Sequence, residues 1–300
     1  MRAAYLGPAG TNSHEALVAA GLAAENVSFP TVGAVVAAVQ EGAAEFALVP
    51  IENSREGAVA ATLDALVFDA PDVRIVGELV HRVSYCLAAA DAIAPDEVRT
   101  VHSHPQATGQ CARFLAEQLP GAAVIAAAST AEAMRAVAGG EPLAGFTPHA
   151  AIGTQHAAAL YGAAVLAERI EDDAENATRF AWVAHAGSLG GGGDRADHGG
   201  LPATADHPAA PTAPVKTALV FWGGGDHAPG WLVDCLTEFS SRAISLTRIE
   251  SRPRRVGLGS YMFFCDLEGA AESAEIGAAI AGLRARCDSV RVLGSFPAAA

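Results

Sequence analysis

The sequence has few charged side chains, few aromatic residues and few cysteines. Charged residues make up 17% and aromatic residues 6% of the 300 residues. The cysteines are odd in number, widely spaced and without a Cys-x-x-Cys pair: Cys86, Cys111, Cys235, Cys265 and Cys287. This usage favours reduced thiols in a cytoplasmic protein and argues against a disulfide framework or a zinc site.

Long apolar runs and a basic face are also missing. Gly, Pro and charged residues interrupt every apolar run before it reaches the ~20 residues of a membrane-spanning helix. The chain turns at Gly7-Pro8, so it has no signal-peptide apolar core. The net charge of −14 makes nucleic acid and anionic membranes poor candidate partners. An anionic ligand would have to be met locally, by an arginine or by helix N-termini.

What the chain does have is a high apolar content, 51%, arranged as short strands alternating with helices. Its length predicts about two domains. The stretch 186–214 is rich in Gly, Pro and Ala, which predicts a flexible linker between residues 1–185 and residues 215–300. The C-terminal part has the βαββαβ pattern of a ferredoxin-like unit. A helix is predicted over 149–161.

Candidate ligand-binding residues follow several of the predicted strands. In open α/β sheets, ligands bind outside the carboxyl ends of the strands, and helix N-termini there supply free N–H groups. The polar residues at such positions are Thr11 in a glycine turn; Glu52, Asn53 and Ser54 after a buried strand; Ser103, His104 and Gln106 before a helix; and Ser129 and Thr130 at another helix start. His104 can act as a base near neutral pH or simply cap its helix. His102 and His104 have no evident third ligand, which argues against a metal site.

The segment Asn176-Ala177-Thr178-Arg179-Phe180 is the main candidate for chemistry. It follows an acidic run and leads into an apolar strand, so Thr178 and Arg179 lie at the mouth of a strand. A hydroxyl can hydrogen-bond a leaving oxygen, and an arginine can bind a carboxylate with two hydrogen bonds. The alternative is that Thr178 only begins the strand and Arg179 pairs with nearby acids.

Taken together, these segments resemble a known family. The motifs are Gly7-Pro8-Ala9-Gly10-Thr11, Pro50-Ile51-Glu52-Asn53-Ser54, Ser103-His104-Pro105-Gln106, Ala158-Ala159-Leu160-Tyr161-Gly162 and the segment containing Thr178. Their order resembles that of the prephenate dehydratases. The C-terminal part is similar to an ACT regulatory domain through Pro229-Gly230-Trp231-Leu232 and Glu250-Ser251-Arg252-Pro253. The sequence departs from the family pattern at Asn12, Thr217 and His227, the last two within the regulatory part.

The resemblance implies an architecture. The catalytic domain would be two-lobed, like type II periplasmic binding proteins, with residues 1–78 and 170–185 in one lobe and residues 79–169 in the other. The ACT domain, residues 215–300, would dimerise side by side and bind L-phenylalanine at the subunit interface, within a homodimer or homotetramer. The effector would contact Pro229, Gly230, Trp231, Leu232, Glu250, Ser251, Arg252 and Pro253.

The resemblance also implies an activity, the decarboxylative dehydration of prephenate to phenylpyruvate without a metal or organic cofactor. Thr178 would assist the departing hydroxyl, as general acid, as part of a relay or by electrostatic stabilisation. Arg179 would hold a carboxylate or brace the loop, and Phe180 would pack at the site. Substrate would be bound by Thr11, Glu52, Asn53, Ser54, Ser103, His104, Gln106, Ser129 and Thr130. Two alternatives stay open, an arogenate dehydratase and a non-enzymatic solute receptor.

Overall fold

The computed structural model describes residues 1–22, 24–189 and 214–299, which form three β-sheets with flanking helices. Most of the predicted linker 186–214 lies outside the described residues. In the described part of the chain, no helix combines the length and the apolar character that crossing a membrane requires.

The first sheet begins the chain as an alternation of strands and helices. Its elements are β1 (Arg2–Leu6), α1 (Asn12–Ala19), β2 (Glu25–Phe29), α2 (Val32–Gln40), β3 (Phe46–Asn53), β4 (Gly57–Ala58), α3 (Ala60–Asp64) and β5 (Val73–Arg82). A π-helical turn, Ala65–Asp69, follows α3 directly. Parallel pairing of β1 with β2 and β3 aligns the carboxyl ends of these strands at one edge.

The second sheet is built from the middle of the chain. Its elements are β6 (Cys86–Ala89), β7 (Thr100–Ser103), α4 (Pro105–Gln110), α5 (Ala112–Gln118), β8 (Ala123–Ala126), α6 (Thr130–Ala138), β9 (His149–Gly153), α7 (Gln155–Tyr161) and β10 (Ala164–Glu168). The predicted helix 149–161 is therefore wrong in its first part. Residues 149–153 form a strand buried between β6 and β7, because a short run of Ala and Ile fits a covered strand as well as a helix.

After β10 the chain returns to the first sheet as β11 (Ala177–His185), followed by the short helix α8 (Ala186–Leu189). β11 inserts between β3 and β5 and is antiparallel to both, which gives the strand order β2-β1-β3-β11-β5. The two chain segments that connect the sheets run side by side, with Val83 N–H donating to Asn176 O over 2.8 Å. β11 thus lies where the chain crosses back from the second lobe to the first.

The C-terminal unit consists of β12 (Val215–Trp222), α9 (Trp231–Ser240), β13 (Leu246–Pro253), β14 (Tyr261–Glu268), α10 (Ala274–Arg284) and β15 (Ser289–Pro297). Its antiparallel sheet has the strand order β13-β14-β12-β15. Both faces of this sheet are covered. Leu219 and Phe221 pack under α9 and α10, whereas Val220 and Phe264 share a core with the first sheet. The alternation along β12 therefore places apolar residues on both sides.

Candidate active site

A cleft of about 430 Å³ lies between the first two sheets. Its wall combines strand ends with helix starts from both lobes: Leu6, Gly7, Thr11, Asn12, Ser13, Pro30, Pro50, Asn53, Val59, Val83, Tyr85, His104, Gln106, Ala107, Gln110, Ala128, Ser129, Thr130, Thr178 and Phe180. None of these lining residues is Lys, Arg, Asp or Glu. The wall therefore combines polar and apolar side chains and offers no lysine, arginine or carboxylate to a ligand.

The positive potential that an anion needs can come from helix N-termini instead of cationic side chains. α1 and α6 both begin at the cleft, and their partial positive charge faces it. Thr11 Oγ1 caps α1 by accepting from His14 N–H at 3.4 Å, and Ser129 Oγ caps α6 by accepting from Glu132 N–H at 3.0 Å. The predicted donors at these two helix starts are thus brought together on facing walls.

Thr178 lies at the floor of the cleft and is 8% exposed. Its Oγ1 accepts a hydrogen bond of 3.0 Å from Asn53 Nδ2, directly opposite in the register of β3 and β11. Asn53 Oδ1 in turn accepts from the N–H groups of Arg55 and Glu56 at 3.0 and 3.1 Å, which fixes the orientation of the amide. Since the hydroxyl oxygen accepts from Asn53, its own hydrogen is left to donate toward the cleft.

The network continues into the second lobe through Asn176 and Gln110, neither of which was assigned a role from the sequence. Asn176, 1% exposed, accepts from Asn53 at 3.2 Å and donates from Nδ2 to Gln110 Oε1 at 2.9 Å. Gln110 follows Gln106 by four residues on α4, so helical spacing places both on one face. That spacing is the signal that could have identified Gln110.

Tyr85 and Asn12 form a second bridge between the lobes. Asn12 Nδ2 donates to Tyr85 Oη over 3.3 Å, and both residues line the cleft. Burial raises the pKa of Tyr85 to about 12, with the Asn12 hydrogen bond acting weakly in the opposite direction. Tyr85 therefore stays a neutral phenol at physiological pH.

Of the substrate-binding residues predicted around the start of α4, two line the cleft and one does not. His104 and Gln106 line the cleft, and His104 Nδ1 accepts from the Gln106 N–H at 3.3 Å, so His104 caps α4 as the structural alternative predicted. Ser103 is fully buried and donates to Ile152 O at 2.7 Å, away from the cleft wall. It fastens β7 to β9, so the structure does not place it among the groups available to a ligand.

Ser54, Glu52 and Arg179 also lie away from the cleft wall. Ser54 accepts from Ala177 N–H at 3.0 Å and supports the start of β11. Arg179 Nε donates to Glu52 Oε2 at 3.1 Å on the opposite face of the sheet, because adjacent residues of a strand point to opposite sides. This placement does not support the predicted contact of Arg179 with a substrate carboxylate. The alternative prediction of an ion pair describes its geometry, although Glu52 lies far in sequence from the acidic run that precedes Thr178.

The second histidine considered for a metal site, His102, lies against His149. Their Nε2 and Nδ1 atoms are 3.1 Å apart, and burial together with His149 lowers the pKa of His102. Among the described residues, no group of three or more His, Cys, Asp or Glu side chains is arranged to hold a metal ion. The two histidines form a hydrogen bond between β7 and β9.

The predicted effector residues divide between two places. Gly230, Trp231 and Leu232 line a cavity of about 190 Å³ at the start of α9, together with Asp226, Ala228, Val233, Gly259, Tyr261 and Phe263. The second motif lies on β13 and does not line that cavity: Glu250, Ser251, Arg252 and Pro253. Pro229, just before α9, does not line it either. Arg252 instead binds Asp64 of α3 with two hydrogen bonds of 2.9 and 3.1 Å. Within one chain, the two predicted effector motifs do not form one site.

A pair of histidines connects the lobes beside the cleft. His14 of α1 stacks on Tyr5, and its Nδ1 accepts from Gly10 N–H at 3.1 Å and lies 3.0 Å from His156 Nε2 of α7. Burial, followed by the charge of His156, lowers the pKa of His14. Both contacts of Nδ1 require an unprotonated acceptor, so His14 is neutral in this arrangement.

This histidine pair predicts a pH dependence of stability. The pKa of His14 in the folded protein lies below its unfolded value of about 6.5. The contribution of neutral His14 to stability is therefore complete above that pH and is lost as the pH falls through the folded pKa. We expect Tm, measured by calorimetry between about pH 7.5 and 5.5, to fall more steeply for the native chain than for His14→Gln. Equal slopes would contradict this role for His14.

Fold and site together define a two-lobed α/β protein with a cleft between its lobes, lined by polar and apolar side chains, and with a further βαββαβ unit. The prephenate dehydratase family profile matches residues 3–188, more than half of the chain. The prephenate dehydratase of Mycolicibacterium vanbaalenii is 38% identical over 309 residues, covering 98% of this chain and 90% of that protein. The chain belongs to the prephenate dehydratase family, whose members are carbon–oxygen lyases.

Solved structures resemble the whole chain. The prephenate dehydratase of Arthrobacter aurescens in complex with L-Phe is 33% identical, with a TM-score of 0.83 over 99% of this chain and 90% of that one. A protein described as a novel type of quorum quenching acylase, GqqA, is 26% identical with a TM-score of 0.81, over 99% of this chain and 98% of that one. The α/β architecture is thus shared along the full length, including the C-terminal unit.

Proposed function

We propose that this chain converts prephenate to phenylpyruvate, water and CO2 at the interlobe cleft. The observation that carries the proposal is the Thr178 hydroxyl, oriented by Asn53 at the floor of a cleft into which the N-termini of α1 and α6 point. Prephenate is a dianion with a ring hydroxyl. The helix N-termini match its carboxylates, and Thr178 matches the oxygen that leaves.

The chemistry needs little from the protein. The bond from the ring to its carboxylate breaks, CO2 departs, and the electron pair moves through the ring to expel the hydroxyl as the ring becomes aromatic. The leaving oxygen gains a proton and becomes water. Thr178 donates a hydrogen bond to that oxygen as charge develops, and the buried network behind it keeps the donor in place. Closure of the lobes excludes water and strengthens this hydrogen bond.

The geometry favours this lyase reaction over amide hydrolysis by a nucleophile. An acyl-transfer site needs a hydroxyl or thiol hydrogen-bonded to a base. In the described part of the chain, the Thr178 hydroxyl contacts the Asn53 amide, and His104 Nδ1 accepts from a backbone N–H. Neither arrangement activates a nucleophile.

Steady-state assays on prephenate and arogenate test the activity and its rivals together. We expect formation of phenylpyruvate, followed by its absorbance, to be faster from prephenate than formation of phenylalanine from arogenate. A higher kcat/KM on arogenate would assign the sibling activity. Saturable binding of prephenate without any turnover would assign a solute receptor and overturn the proposal.

We propose further that the C-terminal unit is an ACT domain that binds L-phenylalanine. The cavity beside Trp231 supports this, since it combines aromatic walls with the N-terminus of α9, which suits a carboxylate. Because Glu250-Ser251-Arg252-Pro253 lies outside this cavity, a homodimer is the arrangement that would bring the two motifs together across an interface. A homotetramer built from such dimers satisfies the same condition.

A negative charge placed at the mouth of this cavity is expected to weaken effector binding at least about tenfold. Val233 is 65% exposed at the cavity rim, so Val233→Glu should fold and should repel the carboxylate of phenylalanine. Calorimetric titration with phenylalanine should show saturable binding to the native full-length chain. In the variant the affinity for phenylalanine should be lower by at least about tenfold, a difference of ~1.4 kcal/mol in binding free energy. Val124→Glu, at a 50% exposed position in the second lobe, is the matched control. Absence of phenylalanine binding to the native chain would contradict the assignment of an ACT domain that binds this amino acid.

A further inference from the structure

Behind Thr178, on the far face of the first sheet, lies a cluster of six charged side chains that joins β11 to the C-terminal unit. We call it the interdomain charge cluster, and it contains Glu52, Glu78, Arg179, Lys216, Arg248 and Asp266. Three acids and three bases make it neutral in sum. Glu78 and Asp266 are only 2% and 1% exposed, so these two carboxylates are desolvated and depend on their cationic partners in the cluster.

Arg179 is the centre of this cluster. Its Nη1 donates to Glu78 Oε2 at 3.1 Å and its Nη2 to Asp266 Oδ2 at 2.8 Å, in addition to the contact with Glu52. Burial alone would lower the pKa of Arg179, but Asp266 and Glu78 outweigh it and the net shift is upward. The guanidinium is thus a fixed cation that bridges two acids of the first sheet and one acid of β14.

Asp266 anchors the C-terminal side of this bridge. It accepts from Arg248 Nε and Nη2 at 2.9 and 3.1 Å, so it is held by two arginines from two different domains. Burial raises the pKa of Asp266, but Arg248 and Arg179 outweigh this and hold it below its usual range. Moving β14 away from β11 would therefore take one of two arginine partners from the buried Asp266 and one of three carboxylate partners from Arg179, which is unfavourable.

The cluster and the catalytic hydrogen bond occupy two consecutive positions of the same strand pair. Thr178 lies opposite Asn53, and the next pair is Arg179 opposite Glu52. The first pair is joined on the cleft face by the Asn53–Thr178 hydrogen bond, and the second on the far face by the Arg179–Glu52 ion pair. Because Arg179 and Thr178 are adjacent in the backbone, the ion pairs that hold Arg179 also restrain the backbone at Thr178, next to a register shift of the β3–β11 pair between Arg179 and Phe180.

We propose that Arg179 is a positioning residue that ties the orientation of Thr178 to the docking of the C-terminal unit through Asp266. The proposal rests on the catalytic role of Thr178 given above. Displacing β14 weakens the hold on Arg179, loosens the β3–β11 pairing at this point and lowers the rate of the chemical step. The substrate's own contacts lie on the cleft face and change little.

The test compares two interdomain carboxylates in the full-length chain. Asp266→Asn removes the charge that holds Arg179, whereas Asp64→Asn removes the partner of Arg252 at a separate contact between the same units. We expect Asp266→Asn to lower kcat about tenfold with KM within about twofold, a size typical of coupling between sites. Asp64→Asn should keep kcat within about twofold, and Asp266→Glu should restore part of the loss. Equal effects of Asp266→Asn and Asp64→Asn on kcat would overturn the proposal, because they would show general loosening of the interface.

Arg179→Lys provides a second variant that keeps the charge but cannot bridge three carboxylates. Positioning predicts a lower kcat with little change in KM, and no further loss when Asp266→Asn is added, since both changes break the same link. A raised KM in Arg179→Lys with normal kinetics in Asp266→Asn would overturn the proposal and identify Arg179 as a direct ligand of the substrate. Thermal melts confirm that each variant is folded at the assay temperature.

One readout does not depend on the reaction. The side-chain amide of Asn53 gives NMR signals that report its hydrogen bond to Thr178. We expect these signals to shift in Asp266→Asn and to stay unchanged in Asp64→Asn. If the native chain failed to turn over prephenate, the proposed function would be wrong while this comparison would still test the link. Unshifted Asn53 signals in Asp266→Asn would overturn the link itself.

Discussion

Replacement of Thr178 by alanine is expected to lower kcat on prephenate by about 10²–10³, the loss typical of removing one donor to a developing oxyanion. The side chain is at the floor of the cleft, and its oxygen already accepts from Asn53, so its hydrogen is free for the leaving hydroxyl. Alanine removes that donor and leaves the Asn53 amide with one acceptor fewer. KM should change little, because the hydrogen bond strengthens only as the leaving oxygen gains charge.

Two variants make this result interpretable. Thr178→Ser keeps the hydroxyl with a less restricted side chain, so it should retain a measurable part of kcat. Thr237→Ala removes a hydroxyl that donates to Val233 O on α9, far from the cleft, and should leave kcat unchanged. Normal turnover by Thr178→Ala would contradict the assignment, as would equal losses in Thr178→Ala and Thr237→Ala.

The sequence predicted the side of the catalytic sheets on which the cleft lies, and the physical reason is local. Parallel strands end at one edge, and Thr11, Asn53, Ser129 and Thr178 each follow or begin an element at such an edge. Positions fixed by strand ends and helix caps can be read from short segments. This explains why these four residues lie together although up to 167 positions separate them in the chain.

Arg179 and Ser103 were predicted to bind the substrate but do not line the cleft. Their positions depend on contacts with residues far away in the sequence, which short segments do not reveal. The sequence places Arg179 beside Thr178 but does not say which face of the strand meets the cleft or that Asp266 lies behind it. Ser103 precedes a helix just as Thr11 does, yet β7 pairs with β9, and the Ser103 hydroxyl donates to Ile152 O of that neighbouring strand. Long-range pairing decided both cases.

The interface behind the catalytic sheet also contains a backbone contact that admits no side chain. Gly294 of β15 packs on Ile75 of β5, and a Cβ built on Gly294 would lie 2.0 Å from Ile75 O and 2.9 Å from Ile75 C. Both strands are held elsewhere, since Ile75 pairs with Val183 of β11 and Gly294 pairs with Ala218 of β12. The added methyl group would meet backbone atoms on two anchored strands, so neither side can yield by rotating a side chain.

Gly294→Ala is therefore expected to push the C-terminal unit away from the first sheet. Inserting atoms into a packed contact typically costs ~1–3 kcal/mol, and the value here should lie at or above the upper end because backbone has to move. Calorimetry should show a clearly lower Tm. The displacement should also separate Arg179 from Asp266, so kcat should fall in the same variant. Small-angle scattering should show a larger radius of gyration.

Gly277→Ala is the matched control, with an effect of opposite sign. Gly277 lies inside α10, and a Cβ there would meet only Ala271 O, at an ordinary distance of 3.6 Å. Alanine in a helix interior is favoured over glycine by up to ~1 kcal/mol, so Tm should stay level or rise slightly. The same chemical change thus destabilises at Gly294 and stabilises at Gly277 if close backbone packing holds the two units together. A native Tm and radius of gyration for Gly294→Ala would show that the units are not held against each other through β5 and β15.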